Sequence, residues 1–284
     1  MNINEIVVIS GKGGTGKTTL VASLIPFIED LVIADCDVDA PDLNILFGNS
    51  IKNSEDFVGL KRAVINEDKC IKCGLCHAKC KFNAITKEIK VNSSKCEGCG
   101  VCEYVCPVNA IEMKDSVVGQ IFTSDTKYGE MVHARLIPGE ETSGKLVSEV
   151  RKRAKMIAEN NGMKNIIIDG SPGIACNVIA SITGASKVII VIEPTLSGLH
   201  DLEKVHELVK KFNLDVEVVI NKCDLSTDGL ESLEKYCDNE SLNIALKIPF
   251  NRNVVESVSN KEIPSVYDKK FFKEIGFKEF LKNL

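Results

Sequence analysis

Eight of the twelve cysteines in this 284-residue chain lie between Cys70 and Cys106, in two runs of identical spacing. Cys70-x2-Cys73-x2-Cys76-x3-Cys80 is followed by Cys96-x2-Cys99-x2-Cys102-x3-Cys106. Thiolates at that spacing hold pairs of [4Fe–4S] clusters, with the fourth cysteine of each run ligating the other cluster. The expected sets are therefore Cys70, Cys73, Cys76 and Cys106 for one cluster, and Cys96, Cys99, Cys102 and Cys80 for the second. Structural zinc sites pair two ligands with two more after a longer gap, a different pattern. Both runs share a glycine and an Asn-Ala-Ile ending, so the segment is an internal duplication. They differ where Cys106-Pro107 closes the second and Cys80-Lys81 the first. Positive charge beside a ligand is expected to raise the potential of the cluster that Cys80 ligates.

A second constellation opens the chain. Gly11-Lys12-Gly13-Gly14-Thr15-Gly16-Lys17-Thr18 fits G-x-x-x-x-G-K-[ST], the loop whose backbone N–H groups cradle phosphates at a helix N-terminus. Lys17 is expected to reach the β- and γ-phosphates and Thr18 to ligate Mg²⁺, with Thr19 completing the nucleotide-binding stretch. Carboxylates follow at predicted strand ends, where α/β sheets bind ligands. They are Asp35 and Asp37 in Asp-Cys-Asp-Val-Asp-Ala-Pro-Asp, and Asp169 in Asp-Gly-Ser-Pro-Gly173. Asn221-Lys222-Cys223-Asp224 ends a further strand and is expected to meet the base.

These residues need a parallel sheet to hold them. Ile6–Ser10, Leu31–Ala34, Ile166–Asp169, Val188–Glu193, Val216–Asn221 and Ile244–Ile248 read as buried strands. Lys17–Glu29, Gly144–Asn160, Leu199–Phe212 and Leu230–Tyr236 read as helices, with weaker helical patterns near Val254 and after Asp268. Such alternation predicts an α/β fold with a doubly wound, mostly parallel sheet. The cysteine block interrupts the alternation and reads as an α+β insertion at residues 62–113, between the parts of the phosphate-loop domain at 1–61 and 114–284.

Hydrophobic residues make up 44% and charged residues 26%, which excludes disordered and fibrous classes. No apolar run reaches the roughly 18 residues of a membrane span, and the start lacks a basic, long-apolar leader, so a cytoplasmic location is expected. A net charge of −5 argues against nucleic acid as the main partner. The tail mixes Phe271, Phe272, Phe277 and Phe280 with lysines, but its apolar positions form no single stripe. A helix docked on the core is expected there, and membrane association is not.

Lys-Gly-Gly-Thr-Gly-Lys-Thr resembles the deviant Walker A loop of MinD/ParA/Mrp/nitrogenase-iron-protein ATPases, and the cysteine block resembles a two-cluster bacterial ferredoxin. The resemblance covers nearly the whole chain. It implies that Lys12 reaches a partner subunit's nucleotide in a sandwich dimer. It further implies that Asp37 positions the attacking water, that Asp35 sits near the metal, and that Asp169 holds Mg²⁺ through water. Gly173 would offer its N–H to the γ-phosphate, and Asn221 would face adenine. N-K-x-D also occurs in GTPases, so ATP is expected with GTP kept open. Cys176, seven residues after Asp169, has the spacing of the nitrogenase iron protein's cluster ligand; packing at a helix start is the competing expectation for it.

The expected activity is Mg²⁺-dependent ATP hydrolysis coupled to electron transfer through two [4Fe–4S] clusters, serving a reductase or metallocofactor maturation. Two other readings stand beside it: an ATPase that carries iron–sulfur clusters to an apo-protein client, and a redox-sensing positioning ATPase. The expected partners are an electron donor or acceptor, or such a client, and a second subunit, either a copy of this chain or a sister ATPase.

Overall fold

The computed structural model describes residues 3–48, 50–140 and 143–284. Its strands are β1 (Asn4–Ser10), β2 (Leu31–Asp35), β3 (Ser50–Val58), β4 (Arg62–Ile65), β5 (Ile111–Lys114) and β6 (Val117–Thr126). They continue with β7 (Gly129–Leu136), β8 (Asn165–Pro172), β9 (Lys187–Ile192), β10 (Asp215–Asn221) and β11 (Asn243–Ile248). Nine of them form one sheet in the order β11-β10-β9-β1-β8-β2-β7-β6-β3. From β11 to β7 every neighbouring pair is parallel. In β1, Glu5 through Ser10 are all buried. Successive side chains point to opposite faces, so both faces are covered, and the doubly wound expectation holds. All six predicted strands are present, as are the predicted helices, seen as Lys17–Leu24, Ser143–Asn161, Leu196–Lys210, Thr227–Asn239 and Arg252–Ser259.

By compactness the chain divides into Met1–Ser54, Ile121–Arg135 and Ser143–Leu284 as one unit, and Glu55–Gln120 with Leu136–Thr142 as the other. Three strands are not announced by the sequence pattern. β3 (Ser-Ile-Lys-Asn-Ser-Glu-Asp-Phe-Val) is exposed almost throughout, a charged edge strand of the kind that resists edge pairing. β6 and β7 are joined by two residues, Lys127 and Tyr128, which makes them an antiparallel hairpin. Polar residues interrupt their alternation: Ser124 and His133 are buried and lie 3.0 Å apart.

Phe122 stacks on His133 at 5.0 Å. Burial depresses the imidazole to about 4, so the folded hairpin favours the neutral ring. A group depressed on folding stabilises fully above its unfolded pKa, near 6.5, and loses that contribution as pH falls toward 4. Urea titrations should show stability dropping by roughly 3 kcal/mol across that window at one pKa unit per 1.36 kcal/mol. His133→Leu should flatten the drop; an unchanged slope would assign it to other groups.

The C-terminal segment docks on the core, as expected, but as two short helices, Lys269–Glu274 and Phe277–Leu281. Gly276 between them takes φ 75°, and this break explains why no single helical stripe fits. Phe272, Phe277 and Phe280 are buried in the cluster that also holds Leu20, Leu24 and Ile33. No described helix is long and apolar enough to cross a membrane.

The second unit is a pseudo-symmetric duplicate. β4 pairs antiparallel with β5, Ile65 opposite Ile111, and 26 residues on from Ile65 and back from Ile111, Val91 bridges Ile85. Asn66 N–H donates to Ala110 C=O, and Asn92 N–H donates to Ala84 C=O. Lys72 and Gly98, Gly74 and Gly100, and Asn83 and Asn109 all take positive φ in matched pairs. The sequence repeat is thus a structural one, the two halves sharing a small core of Ala63, Cys76, Ile85 and Ile111.

Candidate nucleotide and iron–sulfur sites

β1 ends at Ser10 and the helix Lys17–Leu24 begins seven residues later, so the six residues Gly11–Gly16 form the turn between them. Gly16 takes φ 89°, and a Cβ there would come within 2.3 Å of the Asn221 amide nitrogen. Only glycine fits on both counts. Asn221, at the end of β10, donates from Nδ2 to Thr15 C=O at 2.8 Å and so clamps the loop. Thr15 is buried, and its hydroxyl finds no partner among the described residues. A phosphate oxygen would satisfy it.

Asp35 and Asp169 lie opposite each other in the β2–β8 register, which sets both carboxylates at the same edge of the sheet. Lys17 Nζ contacts Asp169 Oδ1 at 2.6 Å and Asp37 Oδ2 at 3.4 Å. Thr18 Oγ1 donates to Asp169 Oδ2 at 2.7 Å. One buried carboxylate therefore holds both the lysine and the hydroxyl of the phosphate loop. Burial alone would lower the Lys17 ammonium, but the charges of Asp169 and Asp37 outweigh it and hold it above its ordinary value. Burial pushes Asp35 well above the usual carboxylate range, and the Asp169 charge adds to the shift. Asp37 also rises through burial, against the opposing pull of Lys17. Three carboxylates face one lysine, so the cluster carries the surplus negative charge and oxygen donors that suit Mg²⁺. Asp35 is further fixed by accepting the N–H groups of Asp37 at 3.1 Å and Leu43 at 3.2 Å.

Gly173, after β8, donates its N–H to Ser10 C=O at 2.8 Å. Lys12 donates to Ser197 Oγ at 3.0 Å and lies 3.9 Å from Glu193 Oε2, while Lys222 Nζ meets Glu193 Oε1 at 2.6 Å. Beside the loop a groove of about 260 Å³ is lined by Gly16, Thr19, Asn221, Phe250, Val255 and Val258 among others. It has the mixed apolar and amide lining of a purine site. Asp224 does not point freely into it: its Oδ1 accepts Phe250 N–H at 2.7 Å. Cys176 is exposed and starts the helix Cys176–Ile182. It lines a separate cavity of about 530 Å³ with Gly144, Ser148 and Arg151.

In the other unit none of the eight repeat cysteines is in a disulfide. Cys80, Cys96, Cys99 and Cys102 line one cavity, together with Ala63 and Met113. Cys80, from the first run, thus stands with three cysteines of the second, the crossed set that the spacing implies. Cys80 Sγ accepts Ala84 N–H at 3.3 Å, and Cys106 Sγ accepts Ala110 N–H at 3.2 Å, the matched contacts of the two copies. N–H donors aimed at sulfur favour the thiolate that a cluster needs. Burial raises the Cys76 and Cys102 thiols, so bound iron would have to supply their ionisation. As placed around Lys17, the carboxylates of Asp35, Asp37 and Asp169 do not themselves converge on one ion, and no other three His, Cys, Asp or Glu side chains among the described residues do so. Arg62 donates to Cys96 C=O at 3.3 Å and pairs with Glu140.

Residues 63–113 match the family model of the 4Fe-4S dicluster domain. The chain is 34% identical over 262 residues to the uncharacterized protein MJ0578 of Methanocaldococcus jannaschii, covering 91% of this chain and 89% of that one. It is 31% identical over 271 residues to MJ0579 of the same organism, covering 90% and 96%. The chain belongs to the family of these two proteins. Its fold is that of MinD/ParA-type P-loop ATPases, with the dicluster domain inserted. The septum site-determining protein MinD of Pyrococcus horikoshii, complexed with Mg-ADP, superposes with TM-score 0.58 at 18% identity, over 99% of this chain and 93% of that one.

In this MinD-type unit the fold brings Lys17, Thr18, Asp35, Asp37 and Asp169 into one cluster, with Thr15, Gly16 and Asn221 beside it. Lys12 and Lys222 meet through Glu193, and Cys176 stands apart in its own cavity. The motifs alone overlooked Glu193, Ser197, Phe250, Arg62 and Glu140. Glu193 had a usable signal, since it is a carboxylate at the end of a predicted strand. Phe250 and Arg62 had none, because their roles come from contacts far apart in sequence.

Proposed function

We propose that this protein is a Mg²⁺-dependent ATPase whose nucleotide cycle gates electron transfer through two [4Fe–4S] clusters, serving a reductase or a metallocofactor-maturation system. The observation that carries the reading is the double hold of Asp169 on Lys17 and Thr18, with the cysteine unit inserted in the chain between Asp37 and Asp169. Thr18 and Asp35 would hold Mg²⁺, with Asp169 acting through water; the ion supplies charge neutralisation on the β- and γ-phosphates. Lys17 must leave Asp169 to bind those phosphates. Gly173 must likewise give up Ser10 C=O if its N–H is to meet a γ-phosphate. ATP and ADP differ in that one group, so they bias the loop after β8 differently, and only a differential interaction of this kind can shift an equilibrium.

Asp37 then orients the attacking water, and Lys12 leaves Glu193 and Ser197 to reach the nucleotide of a second subunit. That subunit is a copy of this chain or a sister ATPase; the occurrence of two relatives in one archaeon fits the latter. The mutual relation of Lys17, Lys12 and the phosphates is mainly positioning and charge stabilisation.

The two cysteine sets would each hold one cluster, which supplies one-electron storage. Iron and sulfide analysis after anaerobic reconstitution should give about eight irons per chain; about four would leave a single cluster and overturn the two-cluster reading. The base site favours adenine, because Asp224, the residue that would read guanine, is engaged with Phe250 N–H. In competition against one fluorescent nucleotide analogue, ATP should bind at least about tenfold tighter than GTP, a difference of about 1.4 kcal/mol. Tighter GTP binding would reverse the assignment.

A further inference from the structure

The two copies of the cysteine unit share a backbone but not a charge. Residues 70–90 carry five lysines and one glutamate, whereas the matched window 96–116 carries one lysine and four carboxylates. No lysine of the first copy recurs in the second: Lys72 matches Gly98, Lys79 Val105, Lys81 Pro107, Lys87 Met113 and Lys90 Ser116. Two of the second copy's four carboxylates are engaged locally. Glu103 accepts Met113 N–H at 3.1 Å, and Glu112 pairs with Lys114 at 3.6 Å. Lys72, Lys79, Lys81 and Lys87 are all exposed, and none takes part in an ion pair among the described residues.

Cys73 is exposed next to Lys72 near the start of this basic stretch, flanked by Ile71 at 62% and Leu75 at 43% exposure. An apolar centre with a charged rim is the anatomy of a protein-docking patch, and the charge sets which partners are steered to it. Leaving four cations unpaired costs the fold nothing in water but creates a local field opposite in sign to the chain's net charge of −5.

We propose that the face around Ile71, Lys72, Cys73 and Leu75 docks an acidic redox protein, so that electrons enter or leave through the Cys70, Cys73, Cys76 and Cys106 set. The inference rests on the proposed function for the presence of clusters. The exchange is a single electron passing between the reduced chain and the oxidised partner, with no bond made or broken and no proton moved.

The test uses the full reconstituted chain with saturating Mg-ADP, so that anions do not report the phosphate loop. Its oxidation by ferricyanide, an anion, and by tris(phenanthroline)cobalt(III), a cation, is followed by stopped flow across a range of salt. The ferricyanide rate should fall as salt rises, although the whole chain is negative, and the cobalt rate should not. The variant with Lys72, Lys79 and Lys87 all changed to Gln, Lys81 being kept because its charge is expected to tune the cluster that Cys80 ligates, should lose about tenfold in the ferricyanide rate at low salt, with iron content unchanged. A fluorescein-labelled decaglutamate peptide gives an equilibrium readout: its anisotropy should rise with the wild-type chain and not with the variant.

A ferricyanide rate that rises with salt, or a variant that still binds the peptide, would overturn the docking face while leaving the proposed function intact. A chain that takes up no iron yet still binds the peptide through those lysines would overturn the proposed function and keep the face as an acidic-protein site without a redox role, which ends the redox part of the proposal.

Discussion

Lys17→Met should lower ATP turnover by at least about a hundredfold, in line with the loss of a group that stabilises transition-state charge, and should also weaken the fold. Both effects come from one geometry. Lys17 is buried against Asp169 at 2.6 Å and Asp37 at 3.4 Å. Removing one partner of a buried pair leaves an uncompensated charge and costs about 3–5 kcal/mol. Lys17→Arg separates the two effects: it keeps the charge and most of the stability, but its wider planar head does not fit the phosphate position of a compact ammonium, so turnover should still fall. Phosphate release and urea unfolding measured on the same preparations check this. A Lys17→Met chain that hydrolyses ATP within threefold of wild type would remove Lys17 from the catalytic set. Lys17 itself adds no pH dependence near neutrality. A lysine held above its ordinary value stabilises fully below about 10.5 and loses that contribution only as pH rises beyond it.

Cys80→Ser should remove about four of about eight irons, and the cluster it removes should be the one held by the second run. Cys80 shares its cavity with Cys96, Cys99 and Cys102, whereas a reading of each run as a self-contained site would pair it with Cys70, Cys73 and Cys76. Double variants separate the two. Cys80→Ser with Cys99→Ser removes ligands of one cluster and should lose no more iron than either single change. Cys80→Ser with Cys73→Ser strikes both clusters and should lose nearly all of it. Residues that act as a unit give non-additive losses of this kind. If the Cys80/Cys73 pair behaves as the non-additive one, the crossed assignment fails.

Much of this was legible in the sequence, and the reasons are local. The phosphate loop is contiguous, so spacing alone gives its geometry. Five of the six predicted strands, β1, β2, β8, β9 and β10, are apolar runs buried on both faces, and few other structures tolerate such runs. The crossed cysteine sets follow from a spacing with one common solution. What was illegible depends on contacts distant in sequence. β3 carries charge at an exposed edge and shows no alternation, and β7 buries His133 within a strand. The tail scatters its apolar residues because Gly276 divides it. Glu193 receives Lys12 and Lys222 from elements far away in the chain. Asp224 matched a guanine-reading motif, yet the fold ties it to Phe250.

The central claim is that nucleotide and clusters are energetically coupled. It is tested most directly by an anaerobic, EPR-monitored redox titration of the reconstituted protein with and without Mg-ATP. The account predicts that Mg-ATP shifts the potential of at least one cluster by about 60 mV, a tenfold change in its one-electron equilibrium. By reciprocity the reduced and oxidised forms should then bind ATP with affinities differing by the same factor. Two potentials that stay within a few millivolts on adding Mg-ATP would contradict it.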